Sequence, residues 1–411
     1  MEISTPFVFK SALRPLGIPT VCMVAVALLG LVQPVSAGGV VGTGTADSCT
    51  ALALDKALAG GGRVTFKCGP TPVTIVPSSN KIITQNTSID GGGLITISGE
   101  GTMGVFAVRP RVSLTLSNLT VADGYSDSGA GLYNEGKVKI VNVTFSNNTA
   151  NYTGGAIYNQ GTMTVTSSTI SNNSAQGGGG IYNIGSLTVS KTTFADNGAT
   201  GVGGGIASFT GSVTVDCCTF SDNSATFFGG GIYSQASLTV VNSTIWGNAA
   251  DGIGGGVATV GGTLTMTNTT LAGNTAGNSA GGLFMADASF GSTSTLQNTI
   301  VASNAGGNCN SPVNDRGSNL QFPDDTCGAS ITCTDPKLDP SGLADNGGQT
   351  QTVAVLERSP AINAGNERIC RGKQVHNVDQ RGLFRPGLAQ ANCSIGAYEF
   401  NARGRVTSSP R

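Results

Sequence analysis

Two carboxylates, Asp196 and Asp222, hold equivalent places in neighbouring repeats of this chain, each two residues past a phenylalanine, Phe194 or Phe220. Other repeats carry Asn147, Asn172, Gly247 and Gly273 there. If the repeats stack as parallel strands, the two acids lie about 4.8 Å apart. Carboxylates that close bind a cation, share a proton or stay solvated. A polysaccharide lyase needs acids to hold Ca²⁺ or neutralise a uronate, and a basic group to abstract a proton. Asp196 and Asp222 are therefore the candidate catalytic and metal residues, Lys191 at the preceding corner completes the set, and Ca²⁺ is the cofactor to expect if the reaction is an elimination. Asp in place of Asn at a solvent-facing corner explains the same pair without chemistry, and is the preferred reading. No arginine lies between Arg111 and Arg316, which counts against an arginine base on the repeats. The single histidine, His376, falls in an irregular tail where a local structural role is expected.

Two other surfaces could bind rather than react. Tyr133, Tyr158, Tyr182 and Tyr233 each follow an inward apolar residue and are expected to face out, where a column of rings can stack on sugars; Ala207, Ala258 and Phe284 interrupt it. Threonines also align, at 144, 169, 193, 219, 244, 270 and 299, with a neighbouring set at 164, 188, 214, 239 and 265. A flat threonine array on a solenoid can order water and bind ice. The adjacent column, Thr166, Ser190, Asp216, Val241 and Thr267, is irregular, and β-propensity alone accounts for outward threonine. Ice binding is thus a minor alternative. Sequons such as Asn118-Leu119-Thr120 and Asn242-Ser243-Thr244 are expected by chance in so Asn/Ser/Thr-rich a chain.

The elements that must position these residues follow from a period of 24 to 26 residues. Apolar residues recur in three columns: Leu132, Ile157, Ile181, Ile206, Ile232, Val257, Leu283; Phe145, Ile170, Phe194, Phe220, Ile245, Leu271, Ile300; and Ile140, Val165, Val189, Val215, Val240, Met266, Leu296. Within a unit the alternation is two-fold, so each unit predicts three short strands with one side in and one side out. Stacked units of that kind form an all-β parallel β-helix with three-strand coils of about 25 residues. Glycine runs such as 203–205 suit its tight corners. Asn148, Asn173, Asn197, Asn223, Asn248, Asn274 and Asn304 predict an amide ladder.

Around this solenoid the chain divides further. Lys10 and Arg14, an apolar run from Leu16 to Val32 and the small residues of "VSAG" predict a signal peptide over 1–37. Residues 38–110 form an N-terminal cap and first coils, with a short helix from Thr50 to Ala59; 111–305 form regular coils; 306–400 form an irregular, proline-containing region expected to cap the other end; 401–411 are a tail. Cys22 leaves with the signal peptide, and nine cysteines remain. In an exported chain they favour disulfides, grouped as Cys49 with Cys68, Cys309 with Cys327 and Cys370 with Cys393, leaving Cys217, Cys218 and Cys333. Only 11% of residues are charged and the net charge is −1, so no electrostatic footprint for nucleic acid is present. No apolar run after the leader approaches a membrane span.

The repeats, with "FSNN" at 145–148, "GGAI" at 154–157 and "FADN" at 194–197, resemble the paired motifs of the polymorphic outer-membrane protein family. "NTSIDGGGLITISGEG" and "VSLTLSNLTVADG" resemble opening coils of right-handed, pectate-lyase-like β-helix proteins. "LADNGGQTQT" at 343–352, "SPAINAG" at 359–365, "DQRGLFRP" at 379–386 and "CSIGAYEF" at 393–400 resemble the choice-of-anchor Q domain. The resemblance implies right-handedness, which periodicity alone does not show. The family usually has Asp where Ser394 stands, and an anchoring signal often follows where this sequence has "NARGRVTSSPR"; a released protein is expected. With ladders well specified and acid and base groups sparse, the expected function is an exported or surface-associated, adhesin-like protein binding extracellular polysaccharide or cell-surface glycan. The alternative is a polysaccharide lyase or glycoside hydrolase acting on an acidic polysaccharide.

Overall fold

In the strand Thr162–Thr166, Met163 and Val165 are buried while the three threonines point away from the core. Its neighbours repeat the pattern in strict register: Met163 pairs with Leu187 and then Val213, Val165 with Val189 and then Val215. Each coil thus stacks its apolar residues on those of the coil before. A computed structural model describes residues 38–404; the expected signal peptide, with Cys22, and the last residues of the tail lie outside the described residues.

The result is a parallel β-solenoid of about ten turns, built from a 21-stranded sheet, a seven-stranded sheet and a nine-stranded sheet. The pairings within these three sheets are parallel, and one antiparallel pair, Leu338–Ala344 with Thr352–Val355, stands apart. Ile157, Ile181, Ile206, Ile232, Val257 and Leu283 are fully buried in one column, as the sequence predicts. The last coil departs by one residue. Leu271 pairs with Val301, and Thr270 with Ile300, so Val301 rather than Ile300 continues the core column and Thr299 lies outside the threonine column.

The amide ladder is continuous and buried. Nδ2 of Asn148 donates to Oδ1 of Asn173 at 2.9 Å, and the same bond links Asn173 to Asn197, Asn223, Asn248, Asn274 and Asn304. Each acceptor oxygen also takes the backbone N–H of the preceding asparagine. These buried amides are therefore satisfied rather than costly. A second ladder, Asn134 to Asn159 to Asn183 to Ser208, runs down another corner.

Corners dictate residue type. Asn118, Asn142, Ser167, Lys191, Cys217, Asn242, Asn268 and Asn298 all have φ between 44 and 54°. That left-handed region costs Asn, Asp and Gly least.

Both ends are closed. Thr50 caps the helix Ala51–Leu58 by accepting from Ala53 N–H, and Leu54 and Ala57 cover the first coil. At the other end Cys309, bonded to Cys327, and Ile331 complete the same core. Cys49–Cys68 and Cys370–Cys393 are also joined; Cys217 and Cys218 are buried and free, and Cys333 is exposed.

Of residues 306–400, the first part pairs onto the last coils. Beyond about residue 335 the chain turns back and lies along the flank of the coils, reaching Asn298 with Asn366, Thr270 with Ala397, Asn242 with Val375, Cys217 with Thr350 and Ser167 with Gln349. The cause is a second apolar core outside the solenoid, where Ala272, Ile300, Ala302 and Trp246 meet Val355, Ala361, Ile395, Tyr398 and Phe400. Earlier coils carry only small residues, Ala122, Ser146, Ser171, Ala195 and Ser221, in the column where Trp246 stands.

Gln380 locks the docked segment. Its Oε1 accepts from Thr244 Oγ1 at 2.6 Å, and its Nε2 donates to Thr219 Oγ1, Thr350 Oγ1 and the Gln351 carbonyl. Behind it Arg385 and Glu399 form a fully buried ion pair at 3.1 Å, with the guanidinium also donating to the carbonyls of Ser394, Gly396 and Ala397. The "DQRGLFRP" and "CSIGAYEF" motifs thus have a structural task. Among the described residues no helix is long and apolar enough to cross a membrane.

Candidate functional site

Asp196 and Asp222 sit at exposed left-handed corners, with φ of 55 and 56°. Burial and the neighbouring Asp196 charge raise the Asp222 pKa. The corner conformation itself explains the residue types, since Asn147, Asn172, Gly247 and Gly273 share it. Among the described residues no group of three or more His, Cys, Asp or Glu side chains is placed to hold a metal ion. Lys191 belongs to a different corner, separated from Asp196 by the strand Thr193–Ala195, about 10 Å long by strand rise. The expected set of three does not converge.

A different set does. Asp216 ends the strand Ser212–Asp216, one rung from Ser190, and the Lys191 N–H donates to its carbonyl at 2.9 Å. Its half-buried carboxylate faces a hollow of about 310 Å³ lined by Thr188, Thr214, Thr239, Gln374 and His376. Burial raises the Asp216 pKa, opposed by the Cys217 thiol and by the positive charges of His376 and Lys191. Lys191 itself lines a second hollow of about 500 Å³ with Asn142, Ser167, Thr169 and Gln349. One wall of each hollow is coil and the other is the docked C-terminal segment. The Cys217 thiol donates to Asp216 Oδ1 at 3.3 Å, and burial pushes its pKa far up; burial also takes Cys218 up to about 12. Neither is a nucleophile at neutral pH.

Sequence reasoning named Asp216 only as an irregularity in a threonine column and His376 only as a tail residue. Their meeting depends on the tail's return, which no local pattern encodes. The one available signal was Trp246, a large apolar residue in an outward column that otherwise holds serine and alanine.

The tyrosine column forms, but differently from expectation. Tyr133 and Tyr158 stack at 4.8 Å and 12°, Tyr158 and Tyr182 at 5.5 Å and 7°. Phe209 fills the place left by Ala207, 5.0 Å from Tyr182, and Tyr233 is only 4% exposed beneath Phe209 and Phe228. Burial raises the pKa of all four phenols. Because the rings stack on one another, their edges and hydroxyls face outward while their faces are occupied. Sugar stacking needs a free face. The threonine column is likewise divided: Thr144, Thr169 and Thr193 are half-buried, whereas Thr219, Thr244 and Thr270 are buried under the docked segment.

Residues 103–276 match the family model described as the right handed beta helix region. The crystal structure of pectate lyase Pel9A is similar over 84% of this chain and 88% of that chain, at 14% identity and a TM-score of 0.49. No curated protein matches.

Proposed function

On this right-handed parallel β-helix, we propose that the protein binds an acidic extracellular polysaccharide in the groove between the coils and the docked C-terminal segment. The observation that carries the reading is the grouping of charged side chains from two coils and the tail, Asp216 and His376 in one hollow and Lys191 in the other, each hollow lined mainly by hydroxyls and amides with a single valine, Val241 or Val141. Lys191 attracts a uronate carboxylate, and His376, Thr188, Thr214, Gln349 and Gln374 supply hydrogen bonds to it and to sugar hydroxyls. The fold by itself selects no ligand. The leader-like segment at 1–37 and the three disulfides support export.

Catalysis is a second reading, favoured by the shared groove of Asp216 and His376. There His376 would abstract the proton α to a uronate carboxylate, the C–O bond β to it would break as the C=C bond forms, and the departing sugar oxygen would take a proton from water; Asp216 would orient and charge-stabilise the imidazole, and Lys191, on the neighbouring coil, would face the carboxylate. The Asp196/Asp222 corner, off this groove, remains the candidate place for Ca²⁺.

Affinity electrophoresis in gels containing polygalacturonate or alginate tests binding. The intact mature protein is expected to be retarded, Lys191→Ala and His376→Ala to lose about tenfold in affinity, and Tyr158→Ala to behave as wild type. An intact protein that runs unretarded in every uronate gel refutes the proposal. Ultraviolet absorbance from unsaturated products and reducing-end assays, with and without Ca²⁺, decide the second reading: turnover lost in His376→Ala supports it, and no turnover on a bound polymer eliminates it.

A further inference from the structure

The structure carries a second surface, independent of the groove, where aromatic rings have free faces. Tyr125 and Tyr152 on the seven-stranded sheet and Phe227 just beyond it are 41%, 59% and 55% exposed. Among the described residues no ring stacks on Tyr125 or Tyr152, and Phe227 only tilts at 48° against Phe228. This is the opposite of the Tyr133–Tyr182 column.

Register puts two of these rings in one line. Thr153 pairs with Gly177, Gly177 with Val202 and Val202 with Phe228. The register shifts just before Thr153 and just before Gly177, but the paired series itself is unbroken. Tyr152 and Phe227, the residues just before its ends, stand three rungs apart, about 14 Å. Between them the column holds Gln176 and Gly201. Gly201 is small of necessity, because a Cβ would meet the Gln176 carbonyl at 2.6 Å. The line is thus a shallow trough with an aromatic ring at each end and a low polar floor.

Its chemistry selects a ligand. The Tyr125 hydroxyl donates to Asn151 Oδ1 at 2.9 Å, and Asn151 Nδ2 donates to Asp127 Oδ1 at 2.9 Å, which fixes that amide at the rim. Gln176 and Thr200 are exposed along the floor. The strands of this sheet contain Asp127 and neither Lys nor Arg, so a polyanion finds no counter-charge there. Separate rings with hydrogen-bonding groups between them suit an extended polyhydroxylated chain, whose apolar sugar faces alternate with hydroxyls, better than a continuous protein face.

We propose that the Tyr152–Phe227 trough binds a neutral glycan chain running parallel to the solenoid axis. The test is isothermal titration of the mature protein with cellohexaose, xylohexaose and mannohexaose, compared with Tyr152→Ala, Phe227→Ala, Tyr152→Phe and Gln176→Tyr. At least one hexasaccharide binds the wild type; each alanine variant loses about tenfold or more, and Tyr152→Phe retains affinity because the ring face is kept. Gln176→Tyr, which keeps both rings but fills the floor, loses binding, so a misfolded alanine variant does not decide the matter. Lys191→Ala, the groove variant, binds the hexasaccharide as wild type. The proposal is overturned if none of the three sugars binds, if both alanine variants fold and bind unchanged, or if Lys191→Ala abolishes binding. Sedimentation showing a dimer that Phe227→Ala dissolves also overturns it, because the rings then serve a second copy of the chain.

Discussion

Removing one rung of the amide ladder is the sharpest test of how this fold is held. Asn223 is fully buried. Its Oδ1 accepts from the Asn197 backbone N–H at 3.1 Å and from Asn197 Nδ2 at 2.9 Å; its Nδ2 donates to Asn248 Oδ1 at 2.8 Å and to the Phe194 carbonyl at 3.0 Å. Asn223→Ala deletes all four bonds and strands the Asn197 N–H, which points at the lost oxygen. An orphaned buried donor costs ~1–3 kcal/mol and each of the three other lost bonds ~0.5–1.5 kcal/mol, a total of about 2.5–7.5 kcal/mol. Asn172, at an exposed left-handed corner, is the control: Asn172→Gly keeps the conformation and is expected to change stability by no more than ~0.5 kcal/mol. Urea unfolding followed by circular dichroism reads both variants. A loss under ~1 kcal/mol for Asn223→Ala would refute the argument, because it would mean that water replaces the ladder amide at no cost.

Further outcomes follow from the same geometry. Gln380→Ala removes the two bonds that tie it to Thr219 and Thr244 and two more, to Thr350 and Gln351, that brace the docked segment internally, so limited proteolysis is expected to cut beyond residue 335 while the coils stay intact; unchanged protection would show that the apolar core of Trp246 and Ile395 holds the segment without Gln380. In the mature chain at pH 8, iodoacetamide should modify Cys333 alone in the native state and Cys217, Cys218 and Cys333 after denaturation, counted by mass spectrometry. The raised pKa of Asp222 gives a signed pH effect. Between its unfolded and its folded pKa the native state holds more protons than the unfolded chain, so stability falls as pH rises through that window. Asp222→Asn should therefore raise the urea midpoint at pH 7 and lose the advantage in acid, and an advantage that persists at pH 3 would contradict the assignment.

The coil was legible because one force writes it many times over. Inward Ile and Val at a nearly fixed period and glycine at corners recur along the coils, and asparagine holds one buried position in seven successive turns, so a misread position such as Ile300 for Val301 hardly alters the picture. The site was not legible for the opposite reason. Asp216, Lys191 and His376 meet only once, and His376 reaches the coils through a segment whose path is set by Trp246, Ala272 and Ile300, outward residues that a period-based reading takes for ordinary variation. The tyrosine column shows a third kind of miss. Tyr133, Tyr158 and Tyr182 do align, but Tyr233 is buried, and stacking at 4.8 Å turns ring faces toward each other, a consequence of rung spacing that sequence order does not display.

The returning C-terminal segment also acts as a ruler. Tandem repeats of near-identical length are prone to gain or lose a unit during DNA replication, and a solenoid accepts such changes without strain because every rung resembles the next. Here one stretch of chain must reach Ser167 and Cys217 with Gln349 and Thr350, then Asn298 with Asn366 and Asn242 with Val375, with Gln380 touching Thr219 and Thr244 together. Loss of a coil between these points leaves a gripping residue facing the wrong partner. The segment thereby converts an open-ended series into a counted one, and holds the groove along its edge at a constant length while the number of coils ahead of Ser167 stays free to vary.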